Sequence, residues 1–61
     1  MKVYTLKRKF KGHKRGSRFY LIAESEFIGV KEFVLRTVNL SERIVLKESE
    51  LQKNFTFTKN V

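Results

Sequence analysis

Hydrophobic and polar residues alternate along most of the chain, and this period of two predicts β-strands rather than helices. The strongest segment, residues 18–25, carries apolar side chains on both of its faces. Phe19 and Leu21 share one face, and Tyr20 lies on the other. Apolar residues on both faces are typical of a central strand that curls within a barrel. The same patterning predicts five strands in all, over residues 2–10, 18–25, 31–39, 43–47 and 55–58.

The segments between the predicted strands carry turn-forming residues and one short helical signal. Residues 11–17 contain two glycines and a serine, which predict a turn or a mobile loop. Residues 26–30 form a connector with apolar side chains at its tip. Ser49 is followed three residues later by Gln52, and this capping-box spacing predicts one helical turn near residues 49–53.

The order of these elements resembles that of the SH3-like small barrel: strand, basic loop, strand, short loop, strand, tight turn, strand, single helical turn, strand. The resemblance covers the whole chain as an architecture and implies an all-β, five-stranded barrel. No family motif accompanies it, because the chain has no Trp and the loop before Phe19 is basic rather than acidic. We therefore do not expect the proline-rich peptide binding that is known from signalling SH3 domains.

A second fold stays open because residues 41–53 also fit a helix. In that interpretation Ser41 caps the helix, and Val45 and Leu51 lie on its buried face. The chain would then be an α+β fold of three strands, a helix over residues 41–53 and a last strand. The β-branched residues Ile44 and Val45 favour the strand.

The composition describes one small domain without covalent cross-links. The 61 residues leave room for a single domain over residues 1–61, and the 41% hydrophobic content argues against disorder. With one His and no Cys, we expect no disulfide, no metal site and no cofactor. The longest apolar runs fall well short of the ~18 residues of a membrane span, and the basic start lacks the apolar segment of a signal peptide. We therefore expect a cytoplasmic protein that does not bind a membrane.

The formal net charge of +8 arises entirely from the first 18 residues. That stretch has eight Lys and Arg and no acidic residue, whereas the remaining residues hold six positive and six negative charges. A charge block on an otherwise neutral chain indicates a surface that meets a polyanion, most often a phosphate backbone. We therefore expect a nucleic-acid-binding module, for DNA or RNA, that uses the strand and loop of residues 2–18. Its candidate phosphate-binding residues are Lys7, Arg8, Lys9, Lys11, Lys14, Arg15 and Arg18.

Aromatic residues are interleaved with these charges. Phe10 and Phe19 are expected in the core, whereas Tyr4 and Tyr20 are candidates for stacking on an unpaired base. Such stacking contributes ~1–3 kcal/mol per base and tolerates many sequences. We expect weak sequence preference, because no predicted element is suited to reading base edges in the major groove.

The apolar connector supports an alternative function as a protein-interaction module. Phe27 and Ile28 would anchor the protein while its basic face docks on a larger acidic protein, or the same tip would form a homodimer contact. We expect no enzymatic activity, because the sequence offers no nucleophile, base and orienting group in combination. The single histidine, His13, is expected to be a solvent-exposed loop residue.

Overall fold

A computed structural model describes residues 1–61 and contains five strands and one helix. The strands form one antiparallel sheet in the order β4-β3-β2-β1-β5. The elements are β1 (Lys2–Leu6), β2 (Arg18–Phe27), β3 (Val30–Thr37), β4 (Arg43–Lys47), α1 (Glu48–Asn54) and β5 (Phe55–Asn60). The predicted all-β class, with five strands and one short helix, is confirmed. The alternative helix over residues 41–53 is wrong, because Arg43–Lys47 pairs with β3.

The sheet is open, so the predicted closed barrel is not confirmed. Strands β4 and β5 are the two edges of the sheet and do not pair with each other. Helix α1 packs against both of these strands and against β3. Its Leu51 is buried among the core side chains. The helix therefore covers the gap that hydrogen bonds between β4 and β5 would close in a complete barrel.

The hydrophobic core lies on one side of the sheet, beneath α1. Alternate residues of each strand point into it, which explains the period of two in the sequence. The ring of Phe19 is fully buried and meets the ring of Phe55 edge to face, with their centroids 5.5 Å apart. The core cluster comprises Leu6, Phe19, Phe33, Leu35, Leu46, Leu51 and Phe55. We call the opposite side of the sheet the outer face.

The first strand ends at Leu6, four residues before the predicted end at position 10. If β1 continued with the same alternation, the side chain of Arg8 would point into the core. Burying an unpaired guanidinium costs far more than the added strand pairing would contribute. The chain instead leaves the sheet, and the Lys7 N–H donates to the carbonyl oxygen of Asn54 at 2.7 Å.

Helix α1 begins one residue earlier than predicted and is capped differently. Its first residue is Glu48, and the carboxylate of Glu50 accepts a hydrogen bond from the Lys47 backbone N–H at 3.0 Å. This is the half of a capping box in which an acidic residue in the first turn satisfies the N-cap backbone. The prediction that Ser49 and Gln52 form the capping pair is therefore wrong.

Candidate nucleic-acid interface

The N-terminal loop, residues 7–17, is fixed to the sheet by its own backbone. At its base, the Leu6 N–H donates to the Ser17 carbonyl oxygen, and the Gly16 N–H donates to the Leu6 carbonyl oxygen, each at 2.8 Å. At its tip, Phe10 and His13 exchange two backbone hydrogen bonds of 2.9 and 3.0 Å. Residues 11–17, predicted as a turn or mobile loop, are thus part of a hydrogen-bonded hairpin-like loop that also includes residues 7–10, which were predicted as strand.

Two ring side chains anchor the N-terminal loop over one end of the core. The ring of Phe10 packs edge to face on Phe55, with centroids 5.9 Å apart. The ring of His13 packs in the same way on Phe19 at 5.1 Å. These contacts face inward and leave the charged residues of the loop on the outside.

The placement of His13 corrects the expectation of a solvent-exposed loop residue. Its side chain is only 15% exposed, and its Nε2 lies 3.0 Å from Oε2 of Glu42 in the β3–β4 connection. Neither contact is visible in the sequence, because Phe19 and Glu42 approach His13 only through the fold. Glu42 is the one carboxylate that the structure brings within 4 Å of a basic side chain of the N-terminal loop.

The predicted phosphate-binding cations are all exposed at one end of the molecule. None of them takes part in the Lys31–Glu48 ion pair or in the contact between His13 and Glu42. Two have weak local contacts: the Lys11 Nζ lies 5.6 Å from the Phe10 ring centroid, and the Lys7 Nζ lies 3.5 Å from the Gln52 carbonyl oxygen. Six lie in the N-terminal loop and the seventh opens β2: Lys7, Arg8, Lys9, Lys11, Lys14, Arg15 and Arg18.

The outer face carries a second positive group that the sequence did not reveal. Strand register places one residue from each strand in a single cross-strand row. We call this set the outer row; from β5 to β4 it comprises Lys59, Val3, Tyr20, Arg36 and Arg43. Three of its five members are cations, and none of them takes part in an ion pair.

Arg36 is the member of the outer row whose charge and hydrogen-bonding groups are least satisfied by the protein. It is half-buried, and its Nε is buried without a hydrogen-bond partner. Its direct cross-strand neighbour is Arg43, a like charge. Both residues lie in the part of the sequence in which positive and negative charges balance, so their clustering is visible only in the fold. Arg36 follows the core residue Leu35 in an alternating strand, and this position predicts that its side chain points to the outer face.

The two candidate tyrosines do not form one site. Tyr20 belongs to the outer row, whereas Tyr4 faces the core side and meets the Phe57 ring edge to face at 5.7 Å. Tyr4 also lines a groove of about 320 Å³ beside α1, whose rim includes the carboxylates of Glu24 and Glu48. The structure therefore places Tyr20 next to cations, whereas the groove at Tyr4 is lined by aromatic residues, two glutamates and one lysine, Lys2.

The predicted docking residues form the tip of the β2–β3 hairpin. Phe27 and Ile28 are 67% and 87% exposed, and the turn has left-handed backbone at Ile28 (φ 52°) and Gly29 (φ 76°). Strand β2 has ten residues, so its rise of about 3.3 Å per residue places this tip roughly 30 Å from Arg18. The hairpin also carries three glutamates, Glu24, Glu26 and Glu32. The basic end and the apolar tip are thus separate surfaces.

Comparisons with known proteins do not indicate a function for this chain. No family model matches the chain, and no curated protein or solved structure shows significant similarity to it. No helix of the protein is long and apolar enough to span a bilayer. What the structure offers is a cationic N-terminal loop, a cationic outer row and an apolar hairpin tip.

Proposed function

We propose that this protein is a non-enzymatic nucleic-acid-binding module that holds the phosphate backbone of DNA or RNA through its N-terminal loop and Arg18. The observation that carries the proposal is the group of seven exposed cations at one end, none paired with a carboxylate. Lys and Arg in this state bind phosphates and release condensed counterions. The resulting affinity depends strongly on salt and weakly on sequence.

The fixed backbone of the N-terminal loop supports the same proposal. Its cations project from a loop that is held at both ends by hydrogen bonds and anchored by Phe10 and His13. Binding then orders only the side-chain tips of the cations, which lowers the entropic cost of association.

The test is fluorescence polarisation with labelled single- and double-stranded DNA and RNA, titrated with salt. We expect roughly micromolar binding at low salt and a linear fall of log K with log salt concentration, with a slope set by the number of phosphates engaged. Replacing two loop cations, Lys14→Glu and Arg15→Glu, is expected to weaken binding by about tenfold or more and to reduce that slope. Absence of binding to all four nucleic acids at low salt would overturn the proposal.

A matched control separates a local site from a general effect of net charge. The double variant Lys31→Glu/Lys47→Glu changes the net charge by the same amount at residues near the β2–β3 hairpin. Lys31 is in an exposed ion pair with Glu48, and such pairs contribute little to stability. We expect the affinity of this variant to lie within about twofold of that of the unchanged protein, once the long-range effect of its lower net charge is taken into account.

The second candidate function is protein interaction, and the exposed hairpin tip favours it. An 87% exposed Ile28 in left-handed backbone is unfavourable unless something covers it or the turn demands it. The three glutamates of the hairpin would repel an acidic partner at the tip. An acidic protein would therefore bind at the N-terminal loop alone. Saturable binding to a purified protein, with no binding to nucleic acid, would favour this function over the first.

A further inference from the structure

We infer that the outer row is a binding surface for single-stranded nucleic acid, on which an unpaired base stacks against Tyr20 and the adjoining phosphates contact Arg36 and Arg43. The inference rests on the proposed function and extends it from the N-terminal loop to the outer face. It also selects the single strand over the duplex as the preferred form of the ligand.

The first argument is electrostatic. Like charges directly opposite each other on neighbouring strands are destabilising, yet Arg36 and Arg43 occupy such a pair without a carboxylate beside them. The buried Arg36 Nε has no hydrogen-bond partner, and an unpartnered buried donor in a folded protein calls for an explanation. An anion held between the two guanidinium groups relieves the repulsion. A phosphate suits this position, because guanidinium groups bind its oxygens in a bidentate manner.

The second argument is the mixture of apolar and aromatic surface next to these cations. Tyr20 is half-buried, with Arg36 on one side and Val3, which is only 2% exposed, on the other. The next row of the outer face holds Val34 paired with Val45, which is itself 45% exposed. A patch with a tyrosine ring, the half-buried Val34, the exposed Val45 and two arginines fits a ligand that alternates flat bases with phosphates. A purely anionic partner would have no use for the apolar part.

The third argument is the shape of the outer face. Five strands spaced about 4.8 Å apart form a surface roughly 19 Å across, which is wider than the ~12 Å major groove of a duplex. The tyrosine ring of the outer row therefore does not reach paired bases, and only an unstacked base lies flat on it. This geometry is the reason for preferring a single strand.

The experiment compares three probes of about 12 nucleotides, a length within the ~4–16 nucleotides that one OB fold covers. The probes are oligo-dT, its duplex with oligo-dA, and an abasic strand with the same phosphates. We expect oligo-dT to bind most tightly. Tyr20→Leu is expected to weaken oligo-dT binding by about tenfold and to leave abasic-strand binding unchanged, because only the base contact is lost. Tyr4→Leu, on the other face, is the matched control and is expected to change neither.

The arginines are tested by Arg36→Gln/Arg43→Gln, which is expected to weaken binding to both single strands and to lower the salt slope by about one to two. Since this variant alters a half-buried residue, amide chemical shifts of the unchanged protein during an oligo-dT titration give an independent readout. We expect the largest shifts at Tyr20, Arg36 and Arg43.

Several outcomes overturn the inference. One is tighter binding of the duplex than of oligo-dT. Another is an equal effect of Tyr20→Leu on binding to the abasic strand and to oligo-dT. A third is that the chemical-shift changes are confined to the N-terminal loop. Poly-glutamate that competes with oligo-dT and is insensitive to Tyr20→Leu would assign the outer row to acidic protein instead. If the Lys14→Glu/Arg15→Glu variant loses binding while the outer-row variants retain it, the inference fails and the proposed function stands. If no probe binds at low salt, both fail.

Discussion

Tyr4 and Tyr20 point to opposite faces of the sheet, because the β1–β2 register pairs Tyr4 with Phe19 and Tyr20 with Val3. Tyr4 contacts Phe57 edge to face and so contributes to the packing of β1 on β5. Tyr20 sits instead in the outer row among cations. The two tyrosines therefore form a natural pair of probes, one for stability and one for binding.

Replacing Tyr4 by Ala is expected to lower the free energy of unfolding by about 2 kcal/mol, through lost burial and the lost ring contact with Phe57. Urea denaturation measures this loss, and nucleic-acid affinity under folding conditions is expected to stay unchanged. Weakened affinity together with unaltered stability would show that Tyr4 contacts the ligand, as the sequence pattern suggested.

Replacing Ile28 by Asn is expected to stabilise the protein. Phe27 pairs with Val30, so Ile28 and Gly29 form a two-residue hairpin loop in which both residues have positive φ. That is the pattern of a type I′ turn, which favours Asn-Gly, and left-handed backbone costs an ordinary side chain roughly 1–2 kcal/mol. We expect a gain of about 1 kcal/mol, seen as a rise in Tm of roughly 4–8 °C for a domain of this size.

The control for the turn is Ile28→Val, which stays β-branched and is expected to leave Tm within about a degree or two of its starting value. A lower Tm for Ile28→Asn would mean that the isoleucine side chain stabilises the hairpin despite its exposure. If Ile28→Asn raises Tm and abolishes a protein contact, the strained isoleucine is retained for that contact.

Replacing His13 by Ala is expected to loosen the N-terminal loop. The ring is nearly buried against Phe19, so its removal leaves a gap and is expected to cost about 1–2 kcal/mol. Glu42→Gln removes the charge of a partner that is 63% exposed, and we expect a cost below about 0.5 kcal/mol. Urea denaturation gives both values, and faster amide exchange at Phe10 and Gly16 reports the loosening. A larger loss from Glu42→Gln would show that the contact between Glu42 and His13, rather than ring packing, anchors the loop.

The elements that the sequence predicted best are those whose signals are local. Strands β2 and β4 lie close to the predicted ranges, because alternation around Phe19 and around Leu46 specifies which face is buried. The end of β1 was also within reach of the sequence: a core-facing Arg8 marks the position where the strand cannot continue.

Features that depend on contacts between distant segments were not predictable in the same way. His13 is anchored by Phe19 and Glu42, and nothing near it in sequence indicates either partner. The outer row joins Arg36 to Tyr20 through the register of β2 and β3, in which Ile22 is an extra residue between the pairs of Leu21 and Ala23. A register of this kind, with its local irregularity, follows from packing of the whole sheet rather than from one strand.

The length of β2 gives the molecule a permanent electric dipole. Residues 7–18 carry seven Lys and Arg and no acidic residue, whereas the far end of the hairpin carries three Glu and one Lys over residues 23–33. In the field of a polyanion this separation of charge exerts a torque that turns the protein N-terminal loop first. Phe27 and Ile28 are then carried on the trailing end, roughly 30 Å from the anchored end. A protein bound in this way would hold Phe27 and Ile28 away from the polyanion, and a substitution at one end of β2 would leave the surface at the other end unchanged.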